Sequence, residues 1–121
     1  GWDISRKYSP VVPEHAAELA ALGPLGEFAM GIQGTVADFC ATETKVAGFD
    51  LPDPITVAYA LDASIATEVR DLYLQVETDS ELTRGMVVMD VLGLTHQAPN
   101  ARVVTAADRD RFLAMLHAAL T

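Results

Sequence analysis

A proline–aspartate–proline triplet fixes more local geometry than any other stretch of this chain. It is Pro52, Asp53 and Pro54, within GFDLPDPITVAYALD at residues 48–62. Proline suits the first helical position, because its missing N–H would be unpaired there anyway. The expected helix therefore opens at Pro54, with Asp53 before it as an N-cap that accepts backbone N–H bonds. Ile55, Ala58 and Leu61 follow at helical spacing. A carboxylate at a helix start has two chemical uses. It caps the helix, or, where it faces a cleft, it ligates a hard cation such as calcium. One carboxylate does not make such a site, since calcium takes about six to eight oxygens. The remaining ligands must come from elsewhere.

Composition narrows what the rest of the chain does. With 121 residues, half of them hydrophobic, it is long enough for one modest domain with a core. Acidic residues number 17 and basic residues 8, for a formal charge of −9. That balance excludes binding to a nucleic-acid backbone, which needs clustered Lys and Arg, and disfavours an anionic membrane surface. A cation or a neutral small molecule is the compatible ligand. The single cysteine, Cys40, cannot pair within the chain. It lies on an apolar stripe with no basic partner in view, and reads as a small buried hydrophobe rather than a nucleophile. No stretch reaches transmembrane length and no signal sequence is visible, so a cytoplasmic protein is expected.

Taken in order, residues 1–5 read as the end of a strand entering a turn. Residues 13–22 read as a helix stopped by Gly23. His15 falls in its first turn as a solvated residue. Residues 25–45 read as a second helix, with Leu25, Phe28, Ile32, Val36 and Phe39 on a broad apolar stripe. Gly31 and Gly34 mark close packing or a break in it. After the Asp53 helix, residues 67–77 and 82–92 read as an antiparallel pair of strands. His96 lies in the polar loop that follows. Residues 102–105 form a short strand. TAAD at 105–108 has the spacing of a capping box, and the last helix runs to about Leu120, with Phe112, Met115, Leu116 and Ala119 on its core face. Mixed helices and strands imply an α/β class. Glycine-rich phosphate loops, CxxC, HExxH and GxSxG are all absent, and the three histidines are widely spaced.

Three stretches together resemble the inosine-uridine preferring nucleoside hydrolases. DPITVAYALD at 53–62 is similar to the family's His-Asp-Pro followed by a small-residue apolar helix. VETDSELTRGMVVMD at 76–90 is similar to a strand–turn–strand in which Glu-Leu-Thr-Arg-Gly recurs. PNARVVTAADRDRF at 99–112 is similar to the closing strand and helix, and GWDISRK with VVPEHAAELAALGPLGEF resembles the preceding strand and helices. Family members are more than twice this long. The aspartate cluster that supplies most of their calcium ligands and the general base has no counterpart here.

The resemblance implies the C-terminal part of an open mixed sheet flanked by helices. It also implies the C-terminal part of a calcium-dependent enzyme that cleaves the N-glycosidic bond of nucleosides to free base and ribose, inactive as this chain alone. Residues 1–121 are then a single domain or a fragment. Asp53 takes the place of a late calcium ligand, and calcium is expected only with the N-terminal portion present. Many members place a proton-donating histidine just before that aspartate. Here Pro52 stands there and cannot donate, so no catalytic residue is assigned. Phe39 and Phe49 are candidates for a pocket around the base. A nucleoside substrate and either a homo-oligomer or association with the missing portion are implied, and a non-catalytic binding or oligomerisation module is the alternative.

Overall fold

The computed structural model describes residues 1–121. Its elements are helix α1 (Trp2–Tyr8), strand β1 (Pro10–Val11), helices α2 (Pro13–Ala20), α3 (Pro24–Gly31) and α4 (Gly34–Phe39), and strand β2 (Phe49–Asp50). Helix α5 (Pro52–Leu61), strands β3 (Ala66–Leu72), β4 (Leu74–Val76), β5 (Val87–Met89) and β6 (Ala101–Ala107), and helix α6 (Arg109–Leu120) complete the chain. The α/β class is as expected. The sheet content takes the form of three separate antiparallel pairs, β1 with β2, β3 with β6, and β4 with β5.

The core sits where α1, α5 and α6 meet the β1–β2 pair and the end of β6. Phe112, Ile65 and Val11 are its most deeply buried apolar side chains. Two glycines allow backbones to close on one another. A Cβ at Gly26 of α3 would stand 2.1 Å from the Leu19 carbonyl oxygen of α2. One at Gly48 would stand equally close to the Val11 carbonyl, and Gly48 has a φ of +83°.

Several expectations change. Residues 1–5 are not a strand end but the first turns of α1, with Asp3 in its first turn and Arg6 and Lys7 in its last, which complements the helix dipole. The expected 67–77 strand splits at Tyr73 into β3 and β4, which serve different partners. The expected 82–92 strand shrinks to β5, with Leu74 opposite Met89. Thr105 is not a cap. Pairing with β3 carries β6 through Ala107, and the Asp108 carboxylate instead accepts the Arg111 N–H at 2.9 Å. The expected 25–45 helix is interrupted between Gly31 and Gly34, and ends in one wide π-type turn over Cys40–Thr44. Its apolar stripe is exposed rather than buried: Phe28 and Phe39 are 64% and 58% accessible.

Candidate functional site

Helix α5 begins earlier than the proline rule placed it. Leu51 is the N-cap and Pro52 the first helical residue, so Asp53 lies inside the first turn and its side chain makes no capping bond. Two prolines explain the shift. Both have φ values fit for a helix start, and the earlier one takes the first position, with Pro54 close behind in a turn whose N–H groups have no intrahelical acceptor. The carboxylate is exposed and stands at the positive end of the helix dipole.

Asp53 lies on a cleft of about 510 Å³. One wall is α1, through Trp2, Ile4 and Ser5. The opposite wall is the first face of α5, through Pro52, Asp53, Ile55, Thr56 and Tyr59. The floor comes from Ile65, β6 and Leu74 of β4. The lining is mostly apolar, with Asp53 and Arg102 as its charged members and Trp2 and Tyr59 as its aromatic ones. Such a surface takes a flat apolar body and orients it through a few polar groups.

The structure brings Pro52 and Asp53 to this cleft but not the two phenylalanines. Phe49 is in the core at 5% exposure, paired across β1–β2 with Val11. Phe39 ends α4 on the exposed stripe, away from the cleft lining. Trp2, Tyr59 and Arg102 were not singled out from the sequence. The only signal for Trp2 was its rarity, since the chain has a single tryptophan.

Nowhere do three His, Cys, Asp or Glu side chains gather within reach of one ion. Asp53 is free to be one ligand, but the set calcium requires is not supplied by these residues alone. The three carboxyls held below their ordinary range all lie outside the cleft. Asp62 is lowered first by the Ser64 hydroxyl and backbone, then by Arg111. Glu77 is lowered by the Asp79 and Ser80 N–H groups, and Asp90 by the hydroxyl and N–H of Thr95. These bonds pin turns rather than tune chemistry.

Known structures share this fold. The fold superposes on a purine-preferring ribonucleoside hydrolase from Gardnerella vaginalis with a TM-score of 0.76 at 23% identity, covering 99% of this chain and 38% of that one. It superposes on an inosine-guanosine nucleoside hydrolase with a TM-score of 0.79 at 22% identity, covering 96% of this chain and 36% of that one. In sequence, it is 33% identical to the pyrimidine-specific ribonucleoside hydrolase RihA of Salmonella arizonae, and 34% identical to that of Salmonella typhimurium. Each of these two alignments covers 96% of the chain, which spans 37% of the relative's length. No helix is long and apolar enough to cross a membrane. With residues 1–114 matching the description "Inosine-uridine preferring nucleoside hydrolase", and relatives aligned over nearly all of its length, this chain belongs to that family.

Proposed function

We propose that this chain is the C-terminal portion of a calcium-dependent N-ribosyl hydrolase, which cleaves nucleosides to free base and ribose and does not turn over substrate as 121 residues alone. The observation that carries the reading is the position of Asp53, an exposed carboxylate on the first turn of α5 at the lip of a largely apolar cleft. In the longer protein Asp53 gives one oxygen ligand to the metal. When bound, calcium anchors hydroxyls and lowers the pKa of a coordinated water. The apolar walls exclude water from the base, and Trp2 and Tyr59 offer flat surfaces to it. Phe39, exposed at the end of α4, is available to a base or to the rest of the protein, while Phe49 supports the segment leading into Asp53 from within the core. A cytoplasmic enzyme of nucleoside breakdown fits this reading.

A second reading is a non-catalytic binding or oligomerisation module, favoured by the exposed stripe of Leu25, Phe28, Ile32, Val36 and Phe39. One experiment separates the two. The 121-residue chain and the longest product of its reading frame are assayed on inosine, uridine and cytidine, with and without a calcium chelator. The hydrolase reading expects activity only in the longer product and its loss on chelation. Activity in the short chain, or none in a longer product carrying an aspartate cluster, overturns it.

A further inference from the structure

Asp50 sits three residues before Asp53, outside the cleft, yet it is tied to the opposite wall. Its Oδ2 accepts the Trp2 indole N–H at 3.2 Å and the Ser5 hydroxyl at 2.9 Å. The same Ser5 hydroxyl also lies 3.0 Å from the Trp2 carbonyl. Behind this staple is the fully buried Ser9. Its hydroxyl donates to the Ser5 carbonyl at 2.9 Å and accepts the Leu51 N–H at 3.0 Å. Leu51 caps α5, and its carbonyl accepts the Ile55 N–H at 3.2 Å. A run of hydrogen bonds thus leads from Ser5 of α1, through Ser9 and Leu51, into the turn that carries Asp53, and Asp50, the residue before Leu51, ties the same α1 residues a second time.

We propose that Asp50 is a positioning residue that sets the width of the cleft and the bearing of the Asp53 carboxylate by stapling α1 onto the start of α5. The mechanical argument is short. Trp2, Ile4 and Ser5 form one wall, and Pro52 through Tyr59 the other. No covalent path shorter than 42 residues joins Ser9 to Leu51. The two walls therefore hold their spacing through noncovalent contacts, and Asp50 draws two donors from α1 onto a single oxygen. A charged acceptor makes stronger bonds than a neutral one, and the Arg6 guanidinium lies over the Trp2 ring, 5.4 Å from its centroid. Removing an outer group that orients a functional carboxylate typically costs about 10- to 100-fold in activity or metal affinity.

The role of Asp53 in this inference rests on the hydrolase reading, whereas the staple does not, so the test has two readouts. The first uses the 121-residue chain, whose only tryptophan is Trp2. Asp50→Ala is expected to speed solvent exchange of the Trp2 indole N–H by about threefold and to move its NMR resonance, since the exposed ring keeps only this bond on its N–H, while Asp50→Asn, which keeps an acceptor oxygen, stays close to wild type. The second uses the longer hydrolase. There Asp50→Ala is expected to lower kcat about tenfold with KM changed less than about threefold, and Asp50→Asn to restore most of it. Ser5→Ala, which removes one donor and leaves the carboxylate, gives an intermediate value in both and serves if Asp50→Ala fails to fold. Unchanged exchange and chemical shift of the Trp2 indole N–H in Asp50→Ala and Ser5→Ala overturn the staple. Unchanged kcat in a longer protein that Asp53→Ala inactivates overturns the positioning role. If Asp53→Ala is itself without effect, the hydrolase reading of this cleft falls and the indole N–H exchange decides the staple.

Discussion

Pro52 and Asp53 show how one local rule places a residue while mistaking its job. The triplet located the helix start and an acidic group beside it. It did not reveal which proline would open the helix, since both satisfy the same backbone constraint. The difference has chemical weight. As the first helical residue, Pro52 is rigid and offers no proton, so under the proposed hydrolase function departure of the base would depend on groups elsewhere or on the base itself. Pro52→His in the longer hydrolase is expected to raise kcat/KM on natural nucleosides by about 10- to 100-fold. It leaves a 4-nitrophenyl riboside, whose leaving group needs no protonation, nearly unchanged. Equal gains on both substrates would show that the histidine acts some other way.

The residue scale also carries the pH response. Asp62, Glu77 and Asp90 are held below their ordinary values of 3.8, 4.5 and 3.8 by hydrogen bonds present only in the fold. Their contribution is therefore complete above the unfolded values and lost as pH falls through the lower, folded ones. The urea midpoint is expected to drop from about pH 5 to about pH 3, with a shallower drop in Asp62→Asn, which loses the titration but keeps the Ser64 contact. A midpoint flat across that range counts against these bonds. In the core, Phe112 is 1% exposed, and Phe112→Ala is expected to cost about 3–5 kcal/mol, read from the same urea curves.

At the scale of elements, much of the helical content was legible. Proline and glycine punctuation marked α2, and apolar spacing marked α5 and α6. What failed did so for physical reasons. Apolar periodicity shows that a helix has a face, not what that face meets, so the stripe of α3 and α4 read as core. Alternation located β3, β4 and β5 but not the switch of partner at Tyr73, which depends on where β6 returns from far along the chain. The cleft itself joins α1 to α5 and β6, and no local pattern encodes that meeting. The break between α3 and α4 was foreshadowed by its glycines. A Cβ at Gly31 or Gly34 meets nothing within 4 Å, and neither has a left-handed φ. Gly34→Ala is accordingly expected to stabilise by about 0.4–1 kcal/mol, seen as a higher urea midpoint and slightly more helical circular dichroism. A loss would mean that the break is needed.

The whole molecule carries more surface than its mass suggests. It exposes 8132 Å² at 12.9 kDa, where a compact monomer of that mass exposes about 6,300 Å². The excess is about twice the roughly 800 Å² that one partner buries in a standard protein–protein interface, and an exposed apolar stripe across α3 and α4 shows where part of it lies. Self-association of the 121-residue chain is expected in sedimentation velocity. The double substitution of Phe28→Glu and Phe39→Glu should weaken it at least about tenfold. A monomeric wild-type chain at high concentration would remove the stripe as an interface between copies.

The β4–β5 hairpin has a separate consequence. None of its strand residues is buried, and its links to the body include the paired bonds between Asn100 and the Leu74 backbone at 2.9 Å and the Arg70 guanidinium bond to the Val91 carbonyl at 3.0 Å. A unit held by polar staples and no shared core opens on its own account. The hairpin is therefore expected to open before the main unfolding transition. Hydrogen exchange checks this: the amide protons of Gln75, Val76 and Val88 are expected to exchange well before those of α5 and α6, and Asn100→Ala to speed them further without moving the main transition.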